Sequence, residues 1–307
     1  MDFNTVIEQI LILLLACVIG IIAYRAGVFE AGTTRKLADI VINITMPCMI
    51  VGTVTSGQET MSAGDVLSAF WPMCLVYVIG AAAALALAYL TRVKKEQFGT
   101  YAFMVIFPNV GFMGFPVVLS LFGERAATYL ALMQIPFSLL AYTLGVYLLA
   151  GKHAFCKDLW RTLLSPALVS PVIGILMYLL GIRLPAFIDG ALDLIGRSTT
   201  PLAMIVMGAS IAAMSIKSIR NLWRIALAGI VRLLAVPVLV WLALRGLVKD
   251  DLLLGVITVL MAMPCATNTT FMSIKYGGDQ ELAAQGVFLS TVLSAVTIPL
   301  LIYLLLM

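Results

Sequence analysis

Apolar stretches, each about 20 residues long and so able to cross a hydrocarbon core as a helix, recur along the whole chain with short polar breaks between them. The pattern predicts ten membrane-spanning helices, with cores near residues 5–24, 36–55, 66–91, 99–122, 126–150, 162–181, 190–214, 222–245, 252–275 and 281–305. Two spans differ from the rest. The fourth contains Phe107-Pro108-Asn109-Val110-Gly111-Phe112-Met113-Gly114-Phe115-Pro116, with two prolines and two glycines inside one apolar run. The ninth contains Met263-Pro264-Cys265-Ala266-Thr267-Asn268-Thr269-Thr270, a proline ahead of a run of polar side chains. Proline removes a backbone donor and clashes with the preceding turn. Glycine loosens the backbone. Both spans are therefore expected to break near mid-membrane.

Freed amides and carbonyls cost several kcal/mol each in lipid unless protein or water satisfies them, so such breaks are kept where they line a cavity. Two half-helix N-termini directed into one cavity would offer unpaired N–H groups and positive dipole ends. That setting suits an anion, particularly a carboxylate. The candidate substrate-binding residues are Pro108, Asn109, Gly111, Pro264, Thr267 and Asn268, with the two asparagines adding side-chain donors. The alternative for either segment is an ordinary proline kink.

Composition narrows the class. Of 307 residues, 62% are hydrophobic and 11% charged, under half the share of about 25% charged residues in soluble proteins. Such a chain cannot cover a water-facing surface, and it reads as one all-α membrane domain with no soluble appendage. The N-terminus, MDFNTVIEQI, is acidic and lacks the basic start of a cleaved signal, so it is taken as the beginning of a retained first helix. The net charge of +4 is spread between apolar runs and offers no nucleic-acid surface. Cys17, Cys48, Cys74, Cys156 and Cys265 form no CxxC pair and read as small packing residues, with no disulfide, metal or cofactor implied.

Charge sets the direction of the spans. One set of alternate loops holds Arg25, Arg35, Lys36, Arg92, Lys94, Lys95, Lys152, Lys157, Arg161, Lys217, Arg220, Arg224 and Lys275; the other holds only Arg125, Arg183, Arg245 and Lys249. Short loops rich in Lys and Arg stay cytoplasmic. The chain is thus expected as a multi-pass protein of the plasma (inner) membrane with both termini extracytoplasmic.

The two halves resemble each other weakly. Asp39, Thr45 and Pro47 of the second span recur 154 residues later as Asp193, Thr199 and Pro201 of the seventh. Pro108 and Pro264 stand 156 residues apart, and so do Ser138 and Ser294. A five-span unit crosses the membrane an odd number of times, so its copy must enter from the other side. Residues 1–150 and 151–307 are therefore expected to be inverted repeats, a design common among secondary transporters.

At this point the residues resemble those of the auxin efflux carrier family, specifically its bacterial members. The likeness rests on Gly20-Ile-Ile-Ala-Tyr24-Arg25-Ala-Gly27, Met46-Pro47, the Pro108–Pro116 segment, Thr200-Pro201-Leu202 through Gly208-Ala209, Met263–Asn268, Tyr276-Gly277-Gly278-Asp279, and Leu289-Ser290-Thr291 through Thr297-Ile298-Pro299. The resemblance implies a scaffold from spans 1, 2, 6 and 7, often the homodimer contact, and a transport domain from spans 3–5 and 8–10. In that domain spans 4 and 9 cross at their prolines, the substrate binds beside the crossing, and elevator-like movement exposes it to each side in turn. Family members carry auxin in plants and are linked to small organic acids in bacteria. Two departures matter. About ten residues from Gly151 to Arg161 replace the long cytoplasmic loop of many plant members. The ninth span also lacks a lysine before its proline and the third lacks a buried acid, so a coupling scheme built on such a pair is not carried over.

Remaining polar residues have two readings each. Arg232, near the middle of the eighth span, either attracts a substrate carboxylate or pairs with carbonyls at a break. Gln134 in the fifth span is either a support-site residue or a bond to a neighbouring helix. Thr45 and Thr199, beside scaffold prolines, either face the cavity or bond their own backbone. Asp193 and Arg197 pair along one helix face. His153 falls in a loop, no GxxxxGK[ST] phosphate loop exists, and Tyr276-Gly277-Gly278-Asp279 fails the GxGD pattern of an aspartyl intramembrane protease. The expected function is secondary transport of a small organic carboxylate across the lipid bilayer, without enzymatic activity. The alternatives are a sodium- or proton-coupled carrier of another substrate class and a ligand-binding membrane sensor.

Overall fold

The computed structural model describes residues 3–56, 63–150, 164–213 and 222–306. His153, Cys156 and the loop charges Lys152, Lys157, Arg161, Lys217 and Arg220 lie outside the described residues. Among the described residues the chain is helical, with no strand. The elements are α1 (Phe3–Arg25), α2 (31–56), α3 (Ala63–Thr91), α4 (Lys95–Ile106), α5 (Val110–Phe122), α6 (Ala127–Ala150), α7 (Pro166–Leu179), α8 (Ala186–Ala212), α9 (222–244), α10 (Asp251–Met261), α11 (Asn268–Tyr276) and α12 (Gln280–Leu306). Five of them, α3, α6, α8, α9 and α12, contain stretches long and apolar enough to cross a membrane alone. Their outward side chains, such as Leu85, Leu90, Leu194 and Val296, are apolar and exposed, as lipid contact requires.

Four of these elements contain a π-helical turn: Val41–Thr45 in α2, Val110–Gly114 in α5, Ala141–Gly145 in α6 and Val231–Ala235 in α9. Three of them share a cause. Each ends two residues before a proline: Pro47, Pro116 and Pro237. A proline ring collides with the carbonyl four residues back, and that carbonyl belongs here to Asn43, Phe112 or Leu233. Widening the turn relieves the collision. The residue before each proline then donates to the carbonyl five residues earlier, from Met46 to Val41, Phe115 to Val110 and Val236 to Val231. The helix continues and its backbone groups stay paired.

Proline also explains why α4 stops at Ile106 and α10 at Met261. A residue before proline is pushed out of the helical region, and Phe107 accordingly sits at φ −101°, ψ 111°. The chain restarts as α5, whose first turn is capped by Asn109, and as α11 after Thr267.

Packing divides the elements. The second part of α8 lies along α1 so closely that a Cβ on Gly20 would stand 2.2 Å from the carbonyl oxygen of Ile205, and one on Gly208 1.9 Å from that of Cys17. Such backbone contact needs small residues. The second half of α2 packs on α7 and on the first part of α8. On the other side α3 packs on α4, α9 on α10 and α12, and α11 on α12. The short elements α4, α5 and α10 are mostly buried. Asp250 caps α10 by accepting from the N–H groups of Leu252 and Leu253, and also accepts from the Tyr129 hydroxyl of α6.

Candidate functional site

The two interruptions meet. Phe107–Asn109 and Pro264–Ala266 run antiparallel through one bridge, in which the Asn109 N–H donates to the Pro264 carbonyl (2.8 Å) and the Ala266 N–H to the Phe107 carbonyl (3.0 Å). Prolines 108 and 264 free these groups from their helices, and the facing strand-like segment satisfies them. The Cys265 N–H finds the Ser290 hydroxyl of α12 at 3.1 Å. Asn109 ties the assembly together with both ends of its amide. Its oxygen accepts from the Phe112 N–H at 3.2 Å, capping α5, and its nitrogen donates to Thr267 Oγ1 at 3.1 Å.

Arg232 lies on the side where α4 and α10 end. It is fully buried, and it is the only fully buried charged side chain among the described residues. Nη2 donates to the Met261 carbonyl (2.9 Å), Nη1 to that of Val105 (3.2 Å) and Nε to that of Met263 (3.4 Å). These carbonyls belong to the last turns of α4 and α10 or just follow them. Helix C-termini carry unsatisfied carbonyls and partial negative charge, so the guanidinium meets two such ends at once. Of the two readings for Arg232, the carbonyl-pairing one describes its contacts.

On the other side of the bridge, where α5 and α11 begin, is a cavity of about 360 Å³ of empty space, counting the part open to the outside. Its walls come from Ile42 and Met46 of α2; Asn109, Gly111 and Phe112; Gln134, Phe137, Ser138 and Tyr142 of α6; and Ala266, Thr267 and Asn268. The π-turns of α2, α5 and α6 each contribute to this lining, through Ile42, Gly111 with Phe112, and Tyr142, while the π-turn of α9 carries Arg232. A Cβ on Gly111 would stand 2.1 Å from the Met46 terminal methyl, so glycine is what lets α2 close on this wall. Among the described residues, no carboxylate, lysine, arginine or histidine lines the cavity.

The structure brings Asn109, Gly111, Thr267, Asn268 and Gln134 together around the cavity. Pro108 and Pro264 stand in the bridge behind it. Thr45 and Thr199 are buried outside the lining; the Thr45 hydroxyl points to the Val41 carbonyl at 3.4 Å, and that of Thr199 has no partner. Asn109 spends one amide N–H on Thr267 Oγ1, and the Asn268 amide oxygen is buried without a partner. Ser138 lines the cavity, whereas Ser294, 156 residues on, bonds the Thr291 carbonyl of its own helix. Ile42, Met46, Phe112, Phe137, Tyr142 and Ala266 were not legible as lining. The prolines at 47 and 116 were the available signal for three of them, because they mark the π-turns that hold Ile42 and Phe112 and the turn that starts at Met46. Asp193 and Arg197 form an exposed ion pair at 2.8 Å, away from the site.

Comparison with known proteins agrees with a membrane carrier. A family described as membrane transport protein matches residues 5–158 and 152–302. The chain is 26% identical over 310 residues to an uncharacterized transporter of Methanocaldococcus jannaschii, covering 95% of this chain and 96% of that one. It is 24% identical over 279 residues to a Rhizobium meliloti protein named "Putative malonate transporter", covering 87% and 86%. It is 22% identical over 219 residues to an uncharacterized transporter of Escherichia coli, covering 67% and 69%. The chain therefore belongs to this membrane transport protein family, the auxin efflux carriers that its proline-centred motifs resemble, and is an integral membrane transporter.

Proposed function

We propose that the protein is a secondary transporter of a small organic carboxylate, bound in the cavity beside the Pro108–Cys265 bridge and carried by elevator-like alternating access. One observation carries the reading: two helices, α5 and α11, begin at a single cavity that, among the described residues, contains no charged side chain. Helix N-termini supply N–H donors and partial positive charge. Arg232 strengthens the effect by covering the carbonyl ends of α4 and α10, so the positive ends toward the cavity are not offset from behind. The name of the Rhizobium relative points to the same chemical class.

In this reading α4 with α5, and α10 with α11, are the broken fourth and ninth spans of a ten-span protein whose halves, 1–150 and 151–307, are inverted repeats. The termini are extracytoplasmic and the membrane is the plasma (inner) membrane. Elements α1, α2, α7 and α8 are the scaffold and the homodimer contact, and the others move. Two features support the division. The close contact of α1 with α8 suits a rigid unit. The cavity also has α2 on one wall and α5, α6 and α11 on the others, as a site between a fixed and a moving part requires.

The test is uptake of labelled mono- and dicarboxylates into liposomes containing the purified protein. Asn109→Ala and Asn268→Ala are expected to lower uptake at least about tenfold, the first by losing the cap on α5 and its link to Thr267. Undiminished uptake by both variants would refute the site.

A further inference from the structure

Two acceptors in the cavity wall have nothing to accept. Gln134 is 2% exposed. Its nitrogen donates to Ser138 Oγ at 3.1 Å, one turn along α6, and its oxygen is buried with no partner. Asn268, at the start of α11, likewise has a buried amide oxygen without a donor. Both side chains line the cavity. A buried amide oxygen left unpaired is costly, and native proteins seldom keep one without a use. An amide oxygen cannot donate, so a second ionised carboxylate would meet two acceptors there.

We infer that the substrate brings its own O–H donor: the site takes small carboxylates that also carry a hydroxyl or a protonated carboxyl group, and the oxygens of Gln134 and Asn268 receive that proton's hydrogen bond. The carboxylate end goes to the helix starts of α5 and α11, so the inference rests on the carboxylate reading above. Hydroxy acids fit, as do dicarboxylic acids in their singly ionised form. Asn109 does not compete for this role, because both ends of its amide are used within the protein.

The inference makes the pH response a property of the substrate. Among the described residues, Tyr142 is the only ionisable side chain in the lining. On the elements that build the walls, Arg35, Lys36, Asp39, Lys95, Glu96, Asp251, Lys275 and Tyr276 stand toward element ends, and Cys48, Tyr101, Tyr129, Tyr147 and Cys265 are not part of the lining. Arg232, from α9, is held by carbonyls behind the bridge. A dicarboxylate should therefore be recognised through its own half-protonated fraction, and apparent affinity falls with the competent fraction.

The test is uptake by proteoliposomes of glycolate, its isostere propionate, and malonate across a pH series. Glycolate should be preferred over propionate about tenfold, with a KM that does not change with pH. The KM for total malonate should rise about tenfold per pH unit above malonate's second ionisation. In Gln134→Met the glycolate-to-propionate ratio should fall toward one; a purely structural role for Gln134 would lower both substrates alike. Equal uptake of glycolate and propionate, or preference for fully ionised malonate, overturns the inference while the carboxylate reading stands. So does a sodium requirement with glycolate and propionate equal, which would give the two oxygens to a cation. Absence of uptake for all three acids overturns both.

Discussion

Replacing Arg232 by methionine tests whether one buried cation holds the two helix interruptions together. The methionine fills much of the same volume but donates nothing. The carbonyls of Met261 and Val105, at 2.9 and 3.2 Å from the guanidinium, lose their donors, and the longer contact to Met263 at 3.4 Å goes with them. A hydrogen bond to a charged group contributes about 1.5–3 kcal/mol, so the two better bonds amount to about 3–6 kcal/mol. Removing a buried cation returns part of that by ending its desolvation cost, which leaves a net loss of about 2–4 kcal/mol. Arg232→Lys should fall between. An ammonium is a point donor and cannot reach carbonyls on both α4 and α10 as the planar fork does. The assay is thermal unfolding of the purified protein in detergent, with hydrogen exchange followed at residues 105–114 and 261–270. Both variants should melt earlier than the parent and exchange faster in those segments. If Arg232→Met unfolds at the parent temperature with protection unchanged, the bridge does not depend on the arginine and the electrostatic argument fails.

Other predictions read different parts of the structure. Asn109→Asp keeps an acceptor for the Phe112 N–H but sets a negative charge in the cavity wall; anion uptake should drop by about two orders of magnitude, since like charges in a low-dielectric site repel by several kcal/mol, and melting temperature should fall as well, because the new charge is buried and the amide's N–H bond to Thr267 is lost. Gly111→Ala should push the Met46 methyl, which would lie 2.1 Å from the new Cβ, into the cavity. It should raise KM with little effect on unfolding. Gly208→Ala forces apart the backbones of α1 and α8 and should cost about 1–3 kcal/mol in detergent unfolding, whereas Gly246→Ala, with nothing within 4 Å of its Cβ, should be neutral.

Much of the secondary structure was legible because its physics is local. Ten apolar runs follow from the thickness of a bilayer, and the helix stops before Pro108 and Pro264 follow from the geometry of proline. The same rule reaches further along the chain. Pro47, Pro116 and Pro237 each sit two residues beyond a π-turn, and those turns contain Ile42, Phe112 and Arg232. A helical wheel drawn at 3.6 residues per turn mis-assigns the face of Met46, which follows such a turn.

The site residues divide in the same way. Asn109, Thr267 and Asn268 were visible as polar groups at breaks in apolar runs, where backbone satisfaction demands a reason for their presence. Their roles were not visible. Whether an asparagine caps a helix, links two segments or leaves an oxygen open to a ligand depends on what stands opposite it, and Thr267 faces Asn109 across 158 positions of sequence. Arg232 shows the same limit. Its sequence context, an arginine in an apolar run, fits a substrate partner and a structural one equally. Only the convergence of α4 and α10, brought together by a two-residue bridge, put three carbonyls around it. By itself the sequence determined that the chain lives in a membrane as helices and where those helices must break, because hydrophobic length and proline sterics act over a few residues. The tertiary structure decided which broken ends share a cavity and which polar atoms remain unpaired there, because hydrogen bonding between distant segments is settled only when they meet.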